Sequence, residues 1–174
     1  MGCDIHSFAE VKDGDFWYTV DDEIFGEKDT SEPFGWRQYG VFAFLAGVRN
    51  YSDLPEFDWH YRGFPENSDY LQSDSGWNNQ TIREEIENDY DYHSTSFIYL
   101  NELLNFNYDQ KFENRRITVK TGPNSYDGAG LARKGEGEMT TYRDFLGNSF
   151  FEDIEVLKTL GTPENVRVFY YFDN

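Results

Sequence analysis

Val166-Arg167-Val168-Phe169-Tyr170-Tyr171-Phe172 decides the fold of this 174-residue chain. The run has the length of a strand and is built almost wholly of β-branched and aromatic side chains. Thr162-Pro163 turns the chain into it. A strand with one wet face alternates apolar and polar residues. This run is apolar on both faces, so it predicts a central strand covered on both sides. Its expected neighbour lies at the other end of the sequence. Residues 3–11 alternate crudely, with Ile5, Ala9 and Val11 on one face and Asp4, His6 and Glu10 on the other, interrupted by Phe8. Asp13-Gly14 accepts the positive φ of a tight turn and joins this segment to residues 16–20, which predicts a β-hairpin. The two ends of the sequence are therefore expected in one sheet.

Between them the periodicity is mostly helical. Val41, Phe42, Leu45 and Val48 recur at helical spacing within residues 36–48, with Ala43 and Ala46 allowing close packing, and predict the main buried helix. Thr81 with Glu84 has the capping-box pattern and opens a short acidic helix. Residues 100–104, 140–146 and 149–160 read as further helices. In the last of these Phe150, Ile154 and Leu157 form one stripe, and Gly161 is expected to supply a left-handed cap. Residues 115–121 alternate as a strand would. Residues 21–33 and 50–79 read as long loops, and 122–138, with its five glycines, as a flexible loop or lid. No repeat or linker divides the chain. The expected fold is α/β of the α+β kind, one domain over residues 1–174. Its mixed sheet has the N- and C-terminal strands at the centre, flanked by several short helices and long loops.

Aromatic residues make up 19% of the chain, so core and ligand pocket alike are expected to be built from rings, many with a polar edge. Cys3 is the one cysteine, which excludes an intramolecular disulfide and predicts a reducing compartment, the cytoplasm. Met1-Gly2-Cys3 invites a lipidation reading, but His6 stands where the myristoylation pattern needs Ser or Thr. No apolar run approaches the roughly 18 residues of a membrane span, so no membrane partner is expected. The net charge of −18 argues against long nucleic acid as a partner, because phosphate affinity comes from Lys and Arg releasing counterions. The excess is uneven: residues 1–114 hold 7 basic and 24 acidic side chains, residues 115–174 hold 8 and 9. Most of the acidity reads as a solvated face.

Few side chains suggest chemistry. Asp4 and His6 project from the same face of the first strand, and with His93 they could hold a metal ion for hydrolysis, as in a phosphoesterase, or simply brace the fold. No cofactor-binding glycine loop and no nucleophile elbow is present, so no cofactor is expected. Arginines and rings remain. Arg49, Arg62 and Arg167 each stand among apolar or aromatic residues, where an arginine either pairs with an internal carboxylate or serves a ligand. If Arg49 and Arg62 converge, their forks suit phosphate while Tyr39, Trp59 and Tyr92 stack on bases. The candidate ligand-binding set is Arg49, Arg62, Tyr39, Trp59, Tyr92, His93, Ser94, Lys120 and Arg133. A compact ligand with one or two phosphates fits such a pocket better than a polymer does. An acidic mimic of nucleic acid, occupying a host DNA-binding protein, is a further expectation from charge alone.

Several stretches together resemble a family of small phage-encoded proteins. They are Met1-Gly2-Cys3-Asp4-Ile5-His6, the block 39–49 with Phe42, Leu45-Ala46 and Val48-Arg49, the turn Arg62-Gly63-Phe64-Pro65, His93-Ser94, and the ending Val166-Arg167 to Phe172-Asp173-Asn174. The resemblance spans nearly the whole chain. The chain is also similar to phage sponge proteins that sequester the cyclic dinucleotide signals of CBASS immunity. That likeness implies a homo-oligomer, a tetramer, acting in the cytoplasm of an infected bacterium. It would bind a ligand such as cGAMP without cleaving it. The strong acidity is a departure from what a nucleotide sponge implies.

Overall fold

The computed structural model describes residues 2–26, 32–119 and 128–174. In chain order its elements are β1 (Asp4–Asp13), β2 (Phe16–Thr19), α1 (Tyr39–Ala46), α2 (Asp69–Gln72), α3 (Ile82–Asn88), β3 (His93–Tyr99), α4 (Leu100–Asn105), β4 (Lys111–Asn114), β5 (Arg116–Val119), β6 (Gly128–Leu131), β7 (Glu138–Thr141), α5 (Tyr142–Leu146), α6 (Asn148–Lys158) and β8 (Val166–Asp173). The main sheet has the order β2-β1-β8-β3, and every pairing in it is antiparallel. The terminal strands β1 and β8 lie at its centre, in register from Asp4 opposite Asp173 to Val11 opposite Val166.

Both faces of this sheet are covered, which explains the unbroken apolar character of β8. On the inner face Ile5, Ala9, Val168, Tyr170 and Phe172 join the main core under α1, α4 and α6. Phe150, Ile154 and Leu157 of α6 are all buried there, as their stripe requires. The core is largely aromatic: Phe44, fully buried, lies within 5.6 Å of the rings of Phe57, Trp59, Phe106 and Phe150. Carbonyls near the C-terminal end of α1 would otherwise be orphaned in this apolar setting. Trp59 Nε1 donates to the Phe44 oxygen at 2.9 Å, and the Tyr170 hydroxyl to that of Leu45 at 2.7 Å. Gly47 then ends the helix in the left-handed conformation (φ 68°).

The outer face is covered too, as the two-sided apolar character of β8 requires. Its cover is the smaller one, α2 and α3, whose Leu71 and Ile86 bury Phe169 and Tyr171. Glu10, on the strand face opposite Ile5 and Ala9, is fully buried beneath it. Its carboxylate accepts from Arg167 Nε at 2.6 Å and from the Ser68 hydroxyl, and Arg167 Nη2 donates to the Glu66 carbonyl at 3.0 Å. Arg167 itself is 2% exposed and lies 4.1 Å from the Trp17 ring centroid.

Other elements depart from the sequence reading in instructive ways. β3 is a strand that the sequence pattern does not announce. Its pairing with β8 shifts between His93 and Ser96, and Ser94 adopts φ 54°, so no clean alternation exists to read. Thr81 and Glu84 form the expected capping box of α3. α6 ends at Thr159 in helical conformation, and Gly161 does not take the left-handed geometry assigned to it. Part of the glycine-rich stretch 122–138 is paired: residues 128–131 form β6 against β5, and Glu138 opens β7, which pairs with β4. The Glu113 carboxylate accepts from the amides of Gly135 and Gly137, both at 2.7 Å. A Cβ on Gly137 would stand 2.7 Å from the Asn114 carbonyl oxygen, so glycine there serves close approach and not flexibility. Residues 122–127 of that stretch lie outside the described residues.

Removing one partner of a buried ion pair leaves the other charge desolvated and alone. Glu10→Ala is therefore expected to destabilise the protein by about 3–5 kcal/mol in urea unfolding, whereas Glu10→Leu combined with Arg167→Met recovers most of that loss. A double variant as unstable as the single one would show that the pair does more than satisfy its own charges.

Candidate functional site

Thirty-three carboxylates surround nine arginines in this chain, so the informative arginines are those that no carboxylate has claimed. Six are claimed: Arg37 by Asp4, Arg62 by Glu102, Arg83 by Glu87, Arg115 by Asp53, Arg143 by Asp109 and Arg167 by Glu10. Among the described residues Arg49, Arg116 and Arg133 have no carboxylate partner. Arg49 donates to Asn174 Oδ1 at 2.9 Å and to the Gly2 carbonyl at 3.3 Å, and hydrogen bonding with the Tyr51 hydroxyl pushes its pKa up. Arg116 lies over the face of the same Tyr51 ring, 5.7 Å from its centroid. Arg133 is exposed two residues beyond the end of β6.

Arg116 and Tyr39 mark the junction of two concavities. The first, about 470 Å³, lies between the Asn50-Tyr51 turn and the β5–β6 hairpin and is closed by Gly130 and Leu131. The second, about 410 Å³, runs from Tyr39 and Arg116 towards Arg37, Gln38, Asn114 and Phe145. No carboxylate is found among the described residues that line either one. That is unusual in a chain this acidic, and it makes the groove a local region where positive charge and ring faces dominate. The first turn of α1 opens on it. Its Gln38 N-cap makes no side-chain capping bond and the turn holds no acidic residue, so the positive end of the helix dipole is not neutralised locally.

Local structure accounts for these placements. Tyr39 is the first residue of α1, and its ring packs against Phe42 and Tyr51, 5.7 and 6.0 Å away. Arg115 anchors the hairpin beside them by donating from Nε and Nη2 to the Ala132 carbonyl at 2.9 and 2.7 Å, while Nη1 reaches Asp53. Arg115 is thus consumed in fixing the base of the hairpin. Its neighbour Arg116 stays exposed on the groove.

The sequence-predicted set does not gather in one place. Arg49 and Arg62 do not converge: Arg62 sits on the outer face of the sheet, bound through Nη1 and Nη2 to Glu102 and over the Phe97 ring. Trp59 is a core residue. Tyr92 packs edge-on against Tyr171 and His6, and its burial pushes its hydroxyl pKa up. His93 Nδ1 and the Ser94 hydroxyl are 2.9 Å apart, and His93 stacks on Phe172 away from the groove residues. Lys120 lies outside the described residues. The metal set fails as a set: Asp4 is held by Arg37, His6 Nε2 stands 3.1 Å from Asp173 Oδ2, and no group of three metal-ligating side chains occurs among the described residues. His60, the third imidazole, is buried against the Phe44 carbonyl, and desolvation pushes its pKa down. Of the predicted residues Tyr39 lines the groove, Arg49 borders it through Tyr51, and Arg133 follows the hairpin strand that closes it. Arg116 and Tyr51 were missed. The signal available was the adjacent pair Arg115-Arg116 on a strand, whose alternation sends the two side chains opposite ways.

Comparison with known proteins finds no matching family model, no matching curated protein and no matching solved structure.

Arg62 serves the fold in a way that pH can expose. Burial raises the Glu102 pKa, but hydrogen bonds from Arg62 and from the Tyr99 amide, with the charge of Arg62, outweigh it and hold the carboxyl below its ordinary range. A depressed folded-state pKa stabilises the protein above the ordinary carboxylate range and ceases to do so as pH falls through and below it. Glu102→Gln is therefore expected to lower the urea midpoint at neutral pH, with the gap to the parent protein closing on acidification. A gap constant with pH would show that the carboxylate charge contributes nothing.

Proposed function

We propose that this protein binds and sequesters a compact phosphorylated ligand with planar ends, of the cyclic dinucleotide class, in the groove that meets at Tyr39 and Arg116. The observation that carries the proposal is Arg116 itself, an arginine without a carboxylate partner among the described residues, flanked by tyrosine rings and set in lining free of acids. Two lobes joined at a guanidinium match a ligand whose two flat ends flank its phosphates. Tyr51 offers a ring face in one lobe, and Tyr39 and Phe145 line the other. Each lobe falls in the volume range of small-molecule sites. The side chains present are guanidiniums, phenols and amides, which recognise phosphate and bases by hydrogen bonding and stacking. The resemblance to phage sponge proteins supports the same reading. It extends it to evasion of CBASS immunity by an oligomer in an infected cell.

Sequestration requires affinity and abundance, and it predicts that the ligand survives. Incubation with 3′,3′-cGAMP, removal of free ligand, heat denaturation and chromatography should return intact cyclic dinucleotide only after heating. Arg116→Ala should weaken binding by at least about tenfold, since a charge-assisted hydrogen bond contributes about 1.5–3 kcal/mol. A linear or hydrolysed product would replace the sponge with a phosphoesterase. No retained ligand, together with salt-sensitive capture of a DNA-binding protein, would favour an acidic mimic.

A further inference from the structure

The outer face of the sheet carries a second cleft, about 410 Å³, which the groove does not explain. Its floor is Arg167, whose side chain is 2% exposed and fixed on three sides: Nε by Glu10, Nη2 by the Glu66 carbonyl and the guanidinium face by Trp17. Among the described residues Nη1 makes no hydrogen bond. A guanidinium held this rigidly, with donors left over at the edge of a cavity, is organised in advance for an oxyanion. Lys12 lines the same cleft, with its Nζ 5.9 Å from the Trp17 ring centroid and no ion pair among the described residues.

The cleft also holds the opposite sign. Asp15 and Glu66 line it, and among the described residues neither carboxylate is ion-paired. Lys12 lies on β1 just before the tight turn and Asp15 within it, yet among the described residues they form no ion pair. With Lys12 and one open edge of the paired Arg167 on one side and two carboxylates on the other, the cleft would repel a phosphate dianion through its acids, and a simple carboxylate would leave those acids unused. A ligand carrying both charges uses all of them, while the rings of Phe64 and Phe97 offer an apolar wall.

We propose that this cleft is a binding site for a small zwitterion of the α-amino acid class, its carboxylate on Arg167 Nη1 and Lys12 and its ammonium towards Asp15 and Glu66. The site is independent of the groove around Arg116. Isothermal titration calorimetry of the full chain with L-leucine and L-phenylalanine should show saturable one-to-one binding, with sodium acetate and methylammonium chloride at least about tenfold weaker. Lys12→Ala and Asp15→Asn, exposed positions whose change leaves the core intact, should each weaken amino-acid binding by about fivefold or more, and Arg116→Ala should leave it unchanged. The proposal is overturned if neither amino acid gives saturable heat, if acetate or inorganic phosphate binds as tightly as leucine, or if both variants bind like the parent.

Discussion

The pairing of β1 with β8, the two ends of the sequence, is the constraint on which the rest of the structure depends. Eight consecutive residue pairs join them, and because they lie at the centre of the sheet both faces of this ladder must be covered. The inner face meets that demand with rings and aliphatic side chains. On the outer face the register places Glu10 opposite Arg167, so the cover provided by α2 and α3 closes over a charged pair. Two ions taken from water this way gain stability only when their remaining donors and acceptors are satisfied. Ser68, the Glu66 carbonyl and the Trp17 ring provide most of that satisfaction, which ties the segment between residues 66 and 68 to the sheet.

Charge elsewhere follows from the same competition. Carboxylates outnumber arginines so heavily that an arginine within reach of one is taken, and six of the nine are. The groove beside Tyr39 and Tyr51 is distinctive because, among the described residues, its lining holds no acid to take Arg116. Net charge and local potential therefore point in opposite directions. At physiological ionic strength a charge more than about 8 Å away is largely screened, so the nearest guanidiniums and helix end govern what binds. A total of −18 does not contradict an anion site of this size.

The sequence disclosed the sheet better than the site. β8 was legible because six apolar residues in a run of seven have few solutions other than a buried strand, and α3 because a capping box is a local code. β3 was hidden by its register shift, and β6 by glycines that usually mark loops. The burial of Glu10 was not legible, because strand alternation tells which residues share a face and is silent on what later covers an individual side chain. Site residues are harder still, since partnership is a property of three dimensions. Arg62 and Arg116 look alike along the chain. Only folding brings Glu102 to one and leaves the other over a tyrosine ring.

That difference supplies a general criterion for acidic proteins. A binding arginine here is recognised neither by its neighbours in sequence nor by its burial, because Arg167 is the most buried of the paired arginines and Arg116 is exposed. It is recognised by donors that remain open after every internal acceptor has been assigned. Among the described residues Arg116 meets the criterion with its whole guanidinium, and Arg167 with one edge. The exposed fork suits a ligand that must be wrapped and stacked. The clamped one suits a small charged group that fits a fixed geometry, because the entropy of ordering that side chain is already lost in folding.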